Sequence, residues 1–145
     1  MKILFNIHEK YKEPELHICC SEKTPEVICL KELLDGMLLT KLSVHKNQES
    51  KSITIPEIVR IYSENKKVYV RTRDEIYEVK DRLYTLEEML KDRGFVRISN
   101  SEIVNISQIE KLDMGYVGTI RMQMKNTDVT FVSRRYVAKI KEVLS

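Results

Sequence analysis

From Ile53 to the C-terminus the chain runs in short apolar stretches, four to seven residues each, broken by polar turns. Ile53 to Pro56, Ile58 to Tyr62, Val68 to Thr72, Ile76 to Lys80, Phe95 to Ile98, Ile109 to Met114, Thr119 to Lys125 and Val129 to Val132 have strand length and composition. Ser63-Glu64-Asn65-Lys66-Lys67, Arg73-Asp74-Glu75, Ser99-Asn100-Ser101, Gly115-Tyr116-Val117-Gly118 and Asn126-Thr127-Asp128 supply the turns. Two stretches switch to helical spacing. In one, Leu83, Leu86 and Leu90 form an apolar stripe, Thr85-Leu86-Glu87-Glu88 reads as a capping box, and Gly94 as the stop. Its Glu87, Glu88, Lys91 and Asp92 face is expected in solvent. In the other, Val137, Ile140 and Leu144 form the stripe and Ser133 can cap the start. Many short antiparallel strands with two or three helices predict a mostly β, or α+β, domain.

The N-terminal part has a different rhythm. Residues 2–7 and 15–20 read as two strands. Thr24, Pro25 and Glu26 then open a helix whose stripe is Val27, Leu30, Leu33 and Leu34 and whose stop is Gly36. Residues 37–45 add a further strand, and the polar run His45 to Ser52 marks a boundary. The expected organisation is a small strand–strand–helix appendage at 1–48, for dimerisation or partner binding, and a main domain at 49–145.

Composition narrows the class without naming it. At 145 residues, 42% hydrophobic and 32% charged, the chain can bury a core. Its net charge of +3 is unevenly spread. Residues 1–59 carry 8 Lys and Arg against 9 Asp and Glu, whereas residues 116–145 carry 6 against 2. A positive C-terminal end suggests an anionic partner; a solvated basic face is the plain alternative. The three cysteines, Cys19, Cys20 and Cys29, form no disulfide framework. They read as buried small hydrophobes in a reducing cytoplasm. No targeting segment and no run near the ~20 apolar residues of a membrane span is visible.

No catalytic constellation emerges. The chain has no glycine-rich phosphate loop, no HExxH and no GxSxG. His17-Ile18-Cys19-Cys20 has no second cluster to complete a metal site. No enzyme, metal, cofactor or small-molecule substrate is therefore expected. What remains is a set of turns carrying groups that suit DNA. Asn pairs with adenine edges and Arg with guanine edges; Ser hydroxyls and helix N-terminal amides suit phosphate oxygens. Asn100 also suits a turn with left-handed geometry. Arg134 and Arg135 stand at the positive end of the last helix, mildly unfavourable for cations unless an anion arrives.

Phe95-Val96-Arg97-Ile98-Ser99-Asn100-Ser101-Glu102-Ile103-Val104-Asn105, then Ile109, then Val132-Ser133-Arg134-Arg135-Tyr136, resembles the LytTR family of bacterial transcription regulators. The likeness covers about residues 50–145, with two motifs in register. It implies an elongated antiparallel sheet with flanking helices that sets loops into the major groove of paired imperfect repeats. It implies that Asn100 and Arg135 contact bases. The family's third base contact, a His in a well-studied type, falls at Asn65-Lys66-Lys67, so that role passes to Lys66 or Lys67. Arg97, Ser101, Ser133 and Arg134 are the implied phosphate contacts.

The resemblance further implies double-stranded DNA as partner, a cytoplasmic homodimer, and a response-regulator-like protein without a receiver domain. A small membrane protein that restrains it is a further implied partner. The rival expectation is a protein-interaction module of the same fold that has lost specific DNA binding, motivated by the altered lysine turn and the modest charge.

Overall fold

The computed structural model describes residues 1–37, 40–114 and 118–145. It has two units, Met1–Leu38 and Leu39–Ser145. In the first, the one regular element among the described residues is helix α1 (Pro25–Met37). Thr24 starts it as expected, its Oγ1 accepting the Val27 amide at 3.4 Å. The Glu26 backbone amide and the Thr24 hydroxyl hold the Glu26 carboxyl below the ordinary carboxylate range. The helix runs through Gly36 and ends one residue later. Glycine tolerates helical geometry at about 1 kcal/mol relative to alanine, so its presence alone does not stop a helix.

The strands expected at 2–7 and 15–20 do not form. Two such runs pair only marginally without a third strand or a packed helix. Ile3-Leu4-Phe5 is also contiguous, with no polar face to give to water. Ile3 and Phe5 are 87% and 92% exposed. Cys19, Cys20 and Cys29 are exposed as well, against expectation, because no sheet forms in this unit to bury them.

The second unit contains β1 (Lys41–Lys46), β2 (Glu49–Thr54), β3 (Arg60–Glu64), β4 (Lys67–Arg71), β5 (Ile76–Val79), α2 (Leu83–Leu90), β6 (Phe95–Ser99), β7 (Glu102–Asn105), β8 (Ile109–Met114), β9 (Ile120–Met124), β10 (Val129–Val132) and α3 (Arg134–Leu144). The strands form a seven-stranded sheet, β2-β1-β5-β4-β3-β7-β6, and a three-stranded sheet, β10-β9-β8. Every pairing is antiparallel. The turn expected at 115–118 lies, Gly118 apart, outside the described residues.

The boundary expected at His45 to Ser52 is instead a hairpin. Lys46 pairs with Glu49 across Asn47 and Gln48, both at positive φ, as a tight turn of matching twist requires. Leu42, Val44 and Ile53 point into the core. Ser50, Lys51 and Ser52 are polar because β2 is an edge strand, where polar side chains discourage further pairing. The two compact units divide between Leu38 and Leu39.

Two cores sit on opposite faces of the large sheet. Leu83, Leu86 and Leu90 of α2 pack with Ile61, Val70, Phe95 and Ile103. Val59, Val96 and Val104 pack with Ile120, Met122 and Met124 of the small sheet and Ile140 of α3. Adjacent residues on one strand thus serve different cores, as period-two alternation requires. All four β7 residues are buried, Ile103 and Val104 in the two cores and Glu102 and Asn105 with hydrogen-bond partners. Burial of Leu83 also overrules the expected capping box. The helix begins upstream of Thr85, with Arg82 as N-cap and no side-chain cap, because packing outweighs local propensity. α2 ends at Leu90, before the expected stop at Gly94; Gly94, at φ +81, instead makes the turn into β6.

Candidate nucleic-acid interface

Two turns share one end of the large sheet. β3 runs into the Asn65-Lys66 turn, and β7 leaves the Asn100-Ser101 turn. β3 and β7 are neighbours, with Tyr62 opposite Glu102. The Ser63 amide continues the pairing by donating to the Ser101 carbonyl at 2.8 Å. Asn65 and Lys66 both have positive φ, which marks a two-residue hairpin turn.

A third segment joins them from the other sheet. The Ser133 amide donates to the Ile98 carbonyl at 2.9 Å, seating the end of β10 beside the end of β6. α3 starts there, with Arg134 and Arg135 exposed in its first turn. Neither arginine makes an ion pair among the described residues. The Ser133 hydroxyl makes no capping bond, so the α3 N-terminus keeps donors for an anion. The Tyr136 hydroxyl donates to Asn100 Oδ1 at 3.0 Å. Residues from two distant motifs therefore meet.

The Asn100 turn is firmly built. A bulge shifts the β6–β7 register between Arg97 and Ser99, which re-aims the side chains that follow. Arg97 then clamps the turn. Its Nε donates to the Ser99 carbonyl at 2.7 Å and its Nη2 to the Asn100 carbonyl at 2.5 Å. Its Nη1 reaches Glu87 Oε2 at 2.7 Å. Ser99 Oγ accepts the Ser101 amide at 3.2 Å and lies 3.3 Å from Ser101 Oγ. Two expectations change. Glu87 is an anchor rather than a solvent group. Arg97, implied as a phosphate contact, has its guanidinium occupied inside the protein, because the bulged turn leaves carbonyls that need a donor.

The lysine turn is looser. Lys66 is exposed and makes no ion pair among the described residues; Lys67 pairs with Glu78 at 3.4 Å. Further along the same strands, at the end of β3 and β4 away from the Lys66 turn, lies a polar network that sequence reasoning missed. Arg60 and Arg71 sit directly opposite each other on β3 and β4, an unfavourable pairing if left alone. Asp128 bridges them, accepting from Arg60 Nε at 3.0 Å and Arg71 Nε at 3.1 Å. Burial pushes the Asp128 carboxyl up, but the Arg71 and Arg60 hydrogen bonds outweigh it and hold it below its usual value. Glu102, almost fully buried, accepts from Arg60 at 3.1 Å and from the Thr130 hydroxyl at 2.7 Å. These bonds fasten the β9–β10 turn to the large sheet, and β10 leads into α3. The signal was Arg60 facing Arg71, visible only once the register is known. Asn105, in the same motif as Asn100, is buried and structural: its Nδ2 donates to the Ile58 carbonyl at 2.8 Å.

Among the described residues no cluster of three His, Cys, Asp or Glu is placed to hold a metal, and no helix is long and apolar enough to cross a membrane. His17 lies 2.8 Å from Glu15 in an exposed local pair.

Comparison with known proteins bears on this geometry. The family model described as LytTr DNA-binding domain matches residues 48–145. An uncharacterised HTH-type transcriptional regulator from a bovine strain of Staphylococcus aureus is 43% identical over 99 residues, covering 68% of this chain and 67% of that protein. A counterpart from Staphylococcus aureus strain COL is 41% identical over the same length and shares. A solved structure, the LytTr DNA-binding domain of a putative methyl-accepting/DNA response regulator from Bacillus cereus, superposes with a TM-score of 0.70. It is 21% identical and covers 73% of this chain and 97% of that one; this likeness is one of fold.

Proposed function

The chain belongs to the LytTr DNA-binding domain family, and from that premise we propose that it is a transcription regulator reading duplex DNA through the turns at one end of its large sheet. It is a DNA-binding protein, not an enzyme. The observation that carries the finer proposal is the meeting of the Asn100 turn with the first turn of α3 through Tyr136. Asn100 and Arg135 read base edges in the major groove. Ser101, Ser133 and Arg134 hold phosphates. Lys66 supplies charge or a base contact from the neighbouring turn, and Lys67 a weaker contribution, since Glu78 competes for it. Arg97 supports the turn rather than touching phosphate.

The relatives carry an HTH-type name, but α2 and α3 of this chain are separated by β6 to β10 and form no helix-turn-helix pair. Turns, with the α3 N-terminus, are the reading elements. Binding as a homodimer to paired imperfect repeats, in the cytoplasm, fits the family. The first unit, with its exposed apolar side chains, serves assembly or a partner such as a small restraining membrane protein. Selection from random duplex DNA tests the core of the proposal. A recurrent motif should emerge, and its affinity should fall steeply with salt, about −0.9 in slope per phosphate neutralised. Recovery of no motif would favour an interaction module that has lost specific binding.

A further inference from the structure

We infer that Tyr136 is a positioning residue for base recognition: its hydroxyl orients the Asn100 amide and ties the choice of base to the seating of α3. This rests on the base-reading role proposed for Asn100.

The Asn100 side chain is held from one direction and its backbone from another. Tyr136 OH donates to Asn100 Oδ1 at 3.0 Å across 36 residues of sequence. Arg97 Nη2 donates to the Asn100 carbonyl at 2.5 Å. A primary amide has two N–H donors and two acceptor lone pairs, and its two ends are close in shape. In the structure the Tyr136 hydroxyl donates to the oxygen end of the amide. It turns the oxygen towards α3 and the NH2 group away, and it uses one lone pair. Both donors and one acceptor site remain, which is the set that a bidentate contact to adenine N6 and N7 requires. An amide ordered before DNA arrives also loses less freedom on binding.

The hydroxyl is itself well placed to set this orientation. The half-buried Tyr136 ring packs against the core of Val96, Ile98 and Ile140, and the Tyr136 amide donates to the Ser133 carbonyl at 2.9 Å. Arg135 precedes Tyr136 in the same helical turn. Any shift of α3 therefore moves the Arg135 contact and the Asn100 amide together, so the two base contacts are coupled through one hydrogen bond.

The test uses the full chain and two duplexes: the sequence recovered by selection with the unaltered protein, and a scrambled duplex of the same composition. Tyr136→Phe keeps the packed ring and removes only the hydroxyl. It should weaken the selected duplex about three- to tenfold and leave the scrambled duplex and the melting temperature unchanged. Repeated selection should show relaxed preference at the base position that Asn100→Ala also relaxes. In an Asn100→Ala background Tyr136→Phe should add nothing. The inference is overturned if Tyr136→Phe binds both duplexes like the unaltered chain, weakens both equally, or adds its full loss to that of Asn100→Ala. A selective Asn100→Ala beside a silent Tyr136→Phe removes the positioning role alone. Equal losses on both duplexes for Asn100→Ala remove the base-reading role and the positioning role with it.

Discussion

The Asn100 turn and the Lys66 turn occupy the same end of one sheet, on neighbouring strand pairs, yet they are built differently. The first is held by side chains from three elements: Arg97 of β6, Glu87 of α2 through Arg97, and Tyr136 of α3. The second relies on its backbone geometry, with Lys66 unpaired among the described residues. Hydrogen-bond recognition of a base edge needs a group fixed to within fractions of an ångström. Attraction to a phosphate needs only a charge within reach. On the proposed reading, the contrast assigns specificity to the pinned turn and affinity to the lysine turn.

The sharpest way to break the contrast is to unpin the first turn. Arg97→Ala removes three hydrogen bonds and leaves Glu87 without its partner. The selected duplex should be bound about 2–3 kcal/mol more weakly, while the scrambled duplex changes little, because the exposed arginines of α3 remain. Arg97→Lys should not restore binding, since a single ammonium cannot span three acceptors as a guanidinium fork does. Titration of both duplexes at one salt concentration checks this. Full rescue by lysine would show that charge, not the clamp, matters.

Removing the readers themselves should have a somewhat smaller effect. Asn100→Ala and Arg135→Ala should each cost about 2 kcal/mol on the selected duplex and little on the scrambled one. Arg134→Ala should weaken both together. Circular dichroism should show all three folded, because none of these side chains is buried. An unfolded Asn100→Ala would mean that Asn100 serves only the turn. On the other side of the comparison, Lys66→Ala with Lys67→Ala should weaken both duplexes by about 1 kcal/mol and flatten the salt slope by roughly one to two units. A loss confined to the selected duplex would make the lysines base readers and erase the contrast.

How much of this was legible beforehand follows the range of the interactions involved. Most strand-length apolar runs of the second unit and the α2 and α3 stripes are local signals, and they held; Ile55 and Pro56 instead form a 3-10 turn, and α2 ends at Leu90, before the expected stop at Gly94. The placement of Asn100 in a turn and of Arg134 and Arg135 in the first turn of α3 held as well. The failures needed non-local information. Residues 2–7 resemble a strand but have no ladder partner. Ser50 to Ser52 resemble a linker because an edge strand is polar. Thr85 resembles a cap, yet burial of Leu83 starts the helix earlier. Glu87 and Arg97 are ordinary surface charges in sequence, ten residues apart; their pairing depends on how α2 lies over β6. Tyr136 stands beside Arg135 in the motif, and its role is visible only once it is seen to touch Asn100.

The smallest predicted effect concerns the frame at the far end of the strands that carry the two turns. Asp128 bridges Arg60 and Arg71 and holds the β9–β10 turn, from which β10 carries Ser133 and α3 into place. Its carboxyl is partly buried, which raises its pKa, but the two arginine hydrogen bonds more than offset this and the folded value lies below the ordinary 3.8. A carboxylate with a depressed folded pKa stabilises the protein fully above its unfolded pKa, and that stability is lost as pH falls through the folded value. At neutral pH Asp128→Asn should therefore be less stable, by about 1 kcal/mol because the amide keeps an acceptor oxygen between the two arginines. As the pH drops below 3.8 the gap should narrow, since the unaltered chain loses the same charge by protonation. Urea midpoints of both proteins across this acid range measure the gap directly. A gap that stays constant with pH would mean that the bridge acts through shape and not through charge, and that the seating of α3 does not depend on the ionised carboxylate.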